Sequence, residues 1–336
     1  MARVYGSVPR NGRLFFLYCA VCLALAHGIV LASPEQSVAT SHFPLTNNIL
    51  YLDIAHAGSR IVCVGERGLI VYSDDAGDHW QRASVPIQVL LTAVFFIDAD
   101  TGWAVGHDGV ILRSDDAALT WQVQHSSVGE DAPLFDVRFQ DHNHGIAVGA
   151  YGAYKMTDDG GKSWKSQIIF ADDYHLYAII EAAAGELFIA GEYGTLLRSE
   201  DQGVHWRAIA TPVQSSFFGM LSLSPDHMLL YGLRGTVLQS VDNGNIWRRI
   251  ATPAQASLQG GVRLDQRQAV IAGLGGTLIT TSDGGNTFHK LSIGNGAEAI
   301  SQVMAVSPEE LVIVGAFGIR RISLPGAFNE QHNGLQ

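Results

Sequence analysis

Short apolar runs alternate with segments rich in Gly, Asp and Ser along most of the chain. Runs of about four to eight residues that are bounded by such turn residues predict β-strands. In the first repeat of the pattern, the predicted strands are Ile49 to His56, Arg60 to Val64, Leu69 to Ser73 and Trp80 to Ala83. Beyond the first 32 residues, no stretch has a convincing helical period. The pattern therefore predicts an all-β protein.

Two motifs repeat every ~42 residues, which is the period of a four-stranded propeller blade. The first is a pair of glycines with two residues between them: Gly65/Gly68, Gly106/Gly109, Gly149/Gly152, Gly191/Gly194, Gly232/Gly235, Gly273/Gly276 and Gly315/Gly318. The second, which begins five residues later, has the form Ser/Thr-x-Asp-x-Gly-x-x-Trp, and Ala118 replaces its glycine in one copy. This motif is the Asp box, or bacterial neuraminidase repeat. Seven glycine pairs predict a seven-bladed β-propeller of four-stranded blades.

Both motifs have a structural interpretation. Glycine supplies the positive φ of a two-residue turn between the second and third strands of a blade. An Asp in a turn accepts hydrogen bonds from the backbone of that turn, and the aromatic ring is expected to fill the space between neighbouring sheets. The predicted structural residues are Asp75, Asp116, Asp159, Asp201, Asp242 and Asp283, with Trp80, Trp121, Trp164, Trp206, Trp247 and Phe288.

The seventh repeat has three predicted strands, Ile300 to Ala305, Glu310 to Val314 and Ile319 to Ser323, and it lacks an Asp box. An exposed strand edge promotes aggregation. We therefore expect an N-terminal strand, at Val38 to Phe43, to supply the fourth strand and close the ring. The polar tail of residues 326–336 is predicted to be disordered.

The N-terminus has the pattern of a secretory signal peptide. Three arginines precede an apolar run from Leu14 to Leu31, and Val30-Leu31-Ala32 is a small-residue cleavage site. We predict a signal peptide over 1–32, cleavage after Ala32, a propeller over 33–325 and a periplasmic or secreted protein. The alternative is an uncleaved membrane anchor. After cleavage Cys63 is the one cysteine left, so no internal disulfide is expected.

Charge narrows the range of partners. The net charge is −11, and removal of the signal segment with its three arginines and no acidic residue leaves −14. Nucleic acid binding requires a basic surface, so a nucleic acid partner is excluded.

Three segments resemble the photosystem II stability/assembly factor family: Gly-Trp-Ala-Val-Gly at 102–106, Asp-Gly-Gly-Lys-Ser-Trp at 159–164 and Gly-Thr-Leu-Leu-Arg-Ser at 194–199. The resemblance covers about residues 40–325. It implies an exported seven-bladed propeller without catalytic activity or cofactor, and its photosynthetic members help to assemble a membrane protein complex. Because the N-terminus resembles an ordinary secretory signal, we expect a bacterial, non-photosynthetic relative. It would be a scaffold or assembly factor for an envelope or membrane protein, and a monomer.

Binding residues are expected on the loops that a rigid scaffold presents. In a propeller, the turns inside the glycine pairs share one face with the connections between blades, here including 126–133 and 170–175. Arg and Tyr are enriched at interaction hot spots. The predicted partner-binding residues are Arg67, His107, Tyr151, Tyr174, Glu192, Tyr193, Arg234 and Phe317.

Some residues also suggest a glycoside hydrolase or lectin, or a metal site. A sialidase-like glycoside hydrolase or lectin would use the same face, with Asp172, Asp173 and Glu192 as acids and Arg67, Arg234 and Tyr193 around the substrate. The Phe/Tyr-Arg-Ile-Pro signature of sialidases is missing, however, and their propellers have six blades. His142 and His144 beside Asp141 suggest a metal site, but two histidines without a third ligand are a weak zinc signal. No catalytic or metal site is predicted.

Overall fold

The computed structural model describes residues 47–126, 132–183, 185–292 and 298–324. Within these ranges the chain forms seven antiparallel sheets that follow one another in sequence, six of four strands and one of three. The protein is a seven-bladed β-propeller, as predicted. A search of the described residues for a helix of sufficient length and apolarity to span a membrane finds none.

Each blade is a meander whose strands pair in sequence order. The strands of blades one to three are β1 (Tyr51–Ala57), β2 (Arg60–Gly65), β3 (Ile70–Ser73), β4 (Gln81–Arg82), β5 (Leu91–Phe96), β6 (Gly102–Gly106), β7 (Ile111–Ser114), β8 (Gln122–His125), β9 (Leu134–Phe139), β10 (Gly145–Gly149), β11 (Tyr154–Thr157) and β12 (Lys165–Ser166). In the first blade the predicted boundaries lie within two residues of the observed ones.

The strands of blades four to seven are β13 (Leu176–Glu181), β14 (Leu187–Gly191), β15 (Leu196–Ser199), β16 (Arg207–Ala208), β17 (Phe217–Ser224), β18 (His227–Gly232), β19 (Val237–Ser240), β20 (Arg248–Ile250), β21 (Leu258–Arg263), β22 (Ala269–Gly273), β23 (Thr277–Thr281), β24 (His289–Lys290), β25 (Ile300–Ser307), β26 (Glu310–Gly315) and β27 (Gly318–Ser323). The first strand of each blade contacts the first strand of the next blade around the ring, so these are the innermost strands.

The hydrophobic core lies between the blades. Trp121 of the second blade packs in one cluster with Val62 and Tyr72 of the first, and Trp247 of the fifth packs with Phe188 of the fourth. The second strands are buried on both sides, as β6, β10, β14 and β22 are along their whole length. Adjacent blades therefore share each apolar cluster, and no blade can bury its own faces alone.

Side-chain packing joins the first and seventh blades. Tyr51 and Val71 form one cluster with Val312 and Val314, and Arg321 makes an ion pair of 2.6 Å with Asp78. Asn48 also donates a backbone hydrogen bond of 3.2 Å to a carbonyl of the seventh blade. The residues Val38 to Phe43, which we expect to supply the fourth strand, lie outside the described residues. So do the segments 1–32 and 326–336.

The glycine-pair turn confirms the predicted positive φ at its second glycine but not at its first. In the first blade Gly68 has φ 67°, whereas Gly65 is extended, with φ −173°. The other left-handed residue of the turn is Arg67, with φ 56°. Gly65 is required for a different reason: a Cβ there would lie 2.0 Å from the carbonyl oxygen of Leu50, which accepts a hydrogen bond of 2.9 Å from the next amide, that of Glu66.

The left-handed position before the second glycine carries a side chain, and therefore backbone strain, at most of the turns. The residue before the second glycine has φ between 52° and 56° at Arg67, Asp108, Tyr151, Tyr193 and Arg234. Only the sixth blade has a glycine at this position, Gly275. A left-handed conformation costs a non-glycine residue about 1 kcal/mol. Strain of this kind is often found at functional sites.

Candidate functional site

The blades present two different faces. On the first face, which we call the box face, the Asp boxes lie beside the turns between the first and second strands of the blades. In the second blade, for example, the amide of Ala117 in the box donates a hydrogen bond to the carbonyl of Asp100 in that turn. On the second, the turn face, the glycine-pair turns lie against the connections between blades. A Cβ added at Gly68, for example, would contact the backbone of Ile87 in the next connection.

On the box face, each Asp side chain is hydrogen-bonded within its own turn. In the first box Asp75 accepts from the hydroxyl of Ser73 and from the amide of His79, both at 2.8 Å. The Ser73 oxygen accepts from the amide of Gly77 at 2.8 Å, and the indole of Trp80 donates to the Gly77 carbonyl at 3.0 Å. The other five boxes repeat the three hydrogen bonds around the Asp and the hydroxyl.

These donors stabilise the charged carboxylates. The hydroxyl of Ser163 lowers the pKa of Asp159 to about 2, and the amide of His205 lowers the pKa of Asp201 to about 2. Carboxylates with such low pKa values are held as anions by local turn geometry. They are unsuited to donating a proton at neutral pH.

The box turns also connect neighbouring blades. Arg60 donates to the carbonyl of Ala117 and Arg113 to that of Gly160, both at 2.7 Å. Later in the ring, Tyr154 donates to the carbonyl of Gly203 at 2.8 Å. In each case the carbonyl belongs to the Asp box of the following blade. The box face is therefore a set of interblade links.

The histidines considered as metal ligands lie in the turn between β9 and β10, on the box face. His142 is 2.7 Å from a carboxylate oxygen of Asp98, and His144 is 2.8 Å from one of Asp141. Within the described ranges, no group of three or more His, Cys, Asp or Glu side chains could hold a metal ion. Both contacts are exposed hydrogen bonds, the first between the turns of adjacent blades and the second within one turn.

The turn face carries the predicted partner-binding residues. Arg67, Tyr151, Tyr193 and Arg234 are exposed, and each occupies a left-handed position. His107 and Glu192, which precede such positions, and Tyr174 in a connection, are half-buried. Burial lowers the pKa of His107.

Phe317 differs from the other predicted residues because its side chain is only 3% exposed. In the seventh blade Gly315 pairs directly with Gly318, so the turn is shorter than in the other blades. The ring of Phe317 packs into an interblade cluster with the Arg320 guanidinium 4.3 Å above it. A buried ring cannot contact a partner, so the prediction of Phe317 as a partner-binding residue was wrong.

Aromatic side chains gather on the turn face at blades three to five. The rings of Tyr174 and Tyr193 lie 5.0 Å apart, those of Tyr151 and His175 also 5.0 Å, and that of Phe170 lies 6.2 Å from Tyr174. Further in, the ring of Tyr177 lies 5.7 Å from that of Phe135 and 5.0 Å from that of Phe218. We call this set the aromatic band: Phe135, Tyr151, Phe170, Tyr174, His175, Tyr177, Tyr193 and Phe218.

The inner part of the band was missed by sequence reasoning. Phe135, Tyr177 and Phe218 are the second residues of the innermost strands β9, β13 and β17. The other blades have non-aromatic residues at that position: Leu52, Thr92, Gln259 and Ser301. The aromatic band therefore extends from the turn face to the innermost strands of blades three to five. The signal was an aromatic residue at the same position of three consecutive repeats.

Glu192 lies within the band. Its carboxylate accepts hydrogen bonds from the amide of His175 at 3.0 Å and from the hydroxyl of Tyr177 at 3.2 Å. The His175 ring nitrogen is 3.6 Å from the same carboxylate, and the two side chains are 15% and 18% exposed. Burial lowers the pKa of His175, although Glu192 opposes this, and its Nδ1 accepts a hydrogen bond of 3.2 Å from the amide of Tyr151. Among the described residues, no Lys or Arg forms an ion pair with Glu192.

Two further carboxylates, also missed, lie on the innermost strands. Asp53 accepts a hydrogen bond of 2.8 Å from the amide of Val94, and Asp136 one of 2.7 Å from the amide of Ile179. Each joins its strand to the innermost strand of the next blade. Burial raises the pKa of Asp53 to about 7 and that of Asp136 to about 6.

One known protein family and several solved structures resemble this chain. Residues 115–212 match the family described as Photosynthesis system II assembly factor YCF48. The resemblance to this family is confirmed. No curated protein matches the chain.

Solved structures share the fold over most of the chain. YCF48 from Cyanidioschyzon merolae has 17% sequence identity and a TM-score of 0.69, with 84% of this chain and 98% of that one covered. A structure of YCF48 bound to D1 peptide has the same identity and TM-score and covers 83% and 94%. A GH74 xyloglucanase from Xanthomonas campestris has 13% identity and a TM-score of 0.65 over 82% of this chain, which spans 52% of the enzyme. At such identities, these structures establish the fold alone.

Proposed function

We propose that this protein is an exported, non-catalytic propeller that binds a segment of an envelope or membrane protein on the aromatic band. The band is the observation that carries the proposal. Tyr151 and Tyr193 are 53% and 52% exposed, and both occupy strained left-handed positions. A large exposed ring at a position better suited to glycine adds little to stability, so its presence is best explained by binding.

The chemistry of the band suits a protein partner. Tyrosine offers a large rigid surface with a polar tip, and it is enriched at interaction hot spots. The side chain of Ile168, two residues before Phe170 in the same connection, is 92% exposed. An apolar patch that continues from exposed rings to half-buried ones provides both the rim and the centre of a small interface.

The family match supports the same class of function. One of the similar structures is a YCF48 bound to a D1 peptide, which is an example of this fold holding a polypeptide segment. Export rests on the signal pattern of residues 1–32. Determination of the N-terminal sequence of the mature protein tests it, and Ser33 is the expected first residue. A mature chain that still contains the segment would favour the membrane anchor.

A glycoside hydrolase or lectin is the second candidate, because a GH74 xyloglucanase shares the fold and aromatic rings also bind sugars. Glycoside hydrolysis requires two carboxyl groups on either side of the bond. Glu192, however, already accepts two internal hydrogen bonds, while Asp172 and Asp173 are exposed. These three side chains do not form the pair of a general acid and a second carboxylate that hydrolysis requires. The site is therefore better suited to binding than to catalysis.

Site-specific cross-linking in the native host tests the proposal. A photoreactive residue replaces Tyr193 on the turn face and, as a control, Ile246 on the box face, which is 72% exposed. We expect one envelope protein to be captured reproducibly from position 193 alone, and the yield to fall when Tyr174→Ala is added. Equal capture from both faces, no capture, or xyloglucan hydrolysis that Glu192→Gln abolishes would refute it.

A further inference from the structure

We infer that the aromatic band recognises a polypeptide segment through a Lys or Arg side chain, with Glu192 as its counter-charge. This inference rests on the proposed function and specifies the chemistry of the partner. It follows from the charge left uncompensated at the centre of the band and from the rings around it.

Among the described residues, the hydrogen-bond donors to the Glu192 carboxylate are neutral. They are a backbone amide and a tyrosine hydroxyl, and the Nδ1 of the nearby His175 accepts a hydrogen bond of 3.2 Å from the amide of Tyr151, as a neutral imidazole does. Burial of a charge is costly unless an opposite charge is close. A cationic group from a ligand would provide that charge, and the remaining 18% exposure of the side chain leaves a path to it.

The rings next to this carboxylate are suited to a cation. A Lys or Arg within about 6 Å of a tyrosine ring is attracted by the negative face of the ring. Tyr177 bonds directly to Glu192, and Tyr193 is the next residue in the chain. The Tyr193 ring lies 5.0 Å from that of Tyr174, at 42°. Two inclined rings beside a carboxylate can contact the alkyl stem and the charged head of one side chain.

The charge around the band has the matching sign. Asp172 and Asp173 are exposed in the connection that contributes Tyr174, and among the described residues neither forms an ion pair. Arg234 is the basic residue at the turn of the next blade, and it too is exposed. Three carboxylates against one guanidinium attract a basic segment, and the net charge of −11 adds to this attraction at low salt.

Selection from a random peptide library tests the inference on the full mature chain. Nine-residue peptides displayed on phage are selected against the wild type, Glu192→Gln and Glu192→Lys, with Glu66→Gln, the same change at the matching turn position of the first blade, as the control. We expect Lys or Arg next to an apolar residue in the wild-type and control consensus. This preference should be lost with Glu192→Gln and replaced by Asp or Glu with Glu192→Lys.

Affinities of the selected peptides, measured by fluorescence anisotropy, give the magnitude. We expect Glu192→Gln to weaken binding at least tenfold and added salt to weaken wild-type binding. Because Gln can still accept from the amide and the hydroxyl, the fold should persist, and an unchanged melting temperature checks this. An acidic or neutral consensus, or an affinity that Glu192→Gln leaves unchanged, overturns this inference but not the proposed function. Failure to enrich any peptide, together with no cross-linked envelope protein, counts against both.

Discussion

The two faces of this propeller use the same repeat in opposite ways. On the box face, each Asp is held by its own turn, and the turn carbonyls bond to the preceding blade. On the turn face, the backbone also repeats, but the exposed side chains change from blade to blade, from Arg67 to Tyr193 to Gly275. The repeated residues of the box face satisfy the backbone hydrogen bonds of their turns. The exposed side chains of the turn face have no such role, and they can differ between blades. Function is therefore expected where the repeat is least regular.

The largest effect is expected from removal of a box-face aromatic ring. Trp121 is 4% exposed and packs against the first blade. Substitution of a buried Trp by Ala removes a large contact surface and leaves a cavity, so Trp121→Ala should lower the free energy of unfolding by about 3–5 kcal/mol. Urea denaturation followed by circular dichroism measures this. A loss below 1 kcal/mol would show that the ring does not hold the blades together.

The carboxylates of the innermost strands should give the next largest effect, seen as a pH dependence. The pKa of Asp53 is raised to about 7 in the folded state, so the native protein keeps a proton that the unfolded chain has lost. Stability should therefore fall as the pH rises from about 4 to about 7. Asp53→Asn should remove this decline, which is of the order of 3 kcal/mol.

Asp136→Asn should also remove a decline of stability with rising pH. This decline covers a narrower range, up to pH about 6, because the pKa of Asp136 is raised to about 6. The box-face residues provide the contrast, because the pKa of Asp201 is lowered to about 2. Its contribution is present above the unfolded pKa and is lost as the pH falls toward 2. Thermal unfolding measured between pH 4 and 8 separates the two groups. For each Asn variant, a stability relative to the wild type that does not increase with pH over this range would contradict the raised value.

A smaller effect is expected from the box hydroxyl. Ser199 is 1% exposed, and its oxygen bonds to Asp201 at 2.9 Å and to the amide of Gly203 at 2.8 Å. Ser199→Ala leaves that buried amide without a partner and should cost about 1–3 kcal/mol. Ser199→Thr is the matched control, because Thr157 and Thr281 occupy the same position in other boxes. Equal melting temperatures for the two variants would exclude this role of the hydroxyl.

The smallest change in stability should come from the turn face. Tyr193→Gly places a glycine at a residue with φ 52°, as Gly275 does in the sixth blade. Relief of backbone strain offsets the lost ring contact, so unfolding should change by about 1 kcal/mol or less. Binding of the selected peptides should nevertheless fall at least tenfold. A large loss of stability with no loss of binding would mean that the ring serves the fold.

Much of the architecture could be predicted from local patterns. The Asp box and the glycine pair determine a turn within a few residues. The seven glycine pairs were therefore sufficient to count the blades, and the two motifs together placed the first-blade strands within two residues. The candidate site was predicted in part: Tyr151, Tyr174 and Tyr193 lie in the aromatic band, together with Glu192. These residues are in turns and connections, whose exposure follows from their position in the blade.

Tertiary structure decided the rest. Phe135, Tyr177 and Phe218 are each about 42 residues apart in sequence, the length of one blade. Only the packing of neighbouring blades brings the aromatic ring of Tyr177 within 5.7 Å of the other two. Gly65 is needed because a carbonyl of the entering chain approaches it, and Phe317 is buried because its turn is short. Sequence alone determined the repeating unit, since its turns are stabilised within a few residues. Contacts between blades decided which side chains meet, because those depend on the packing of distant segments.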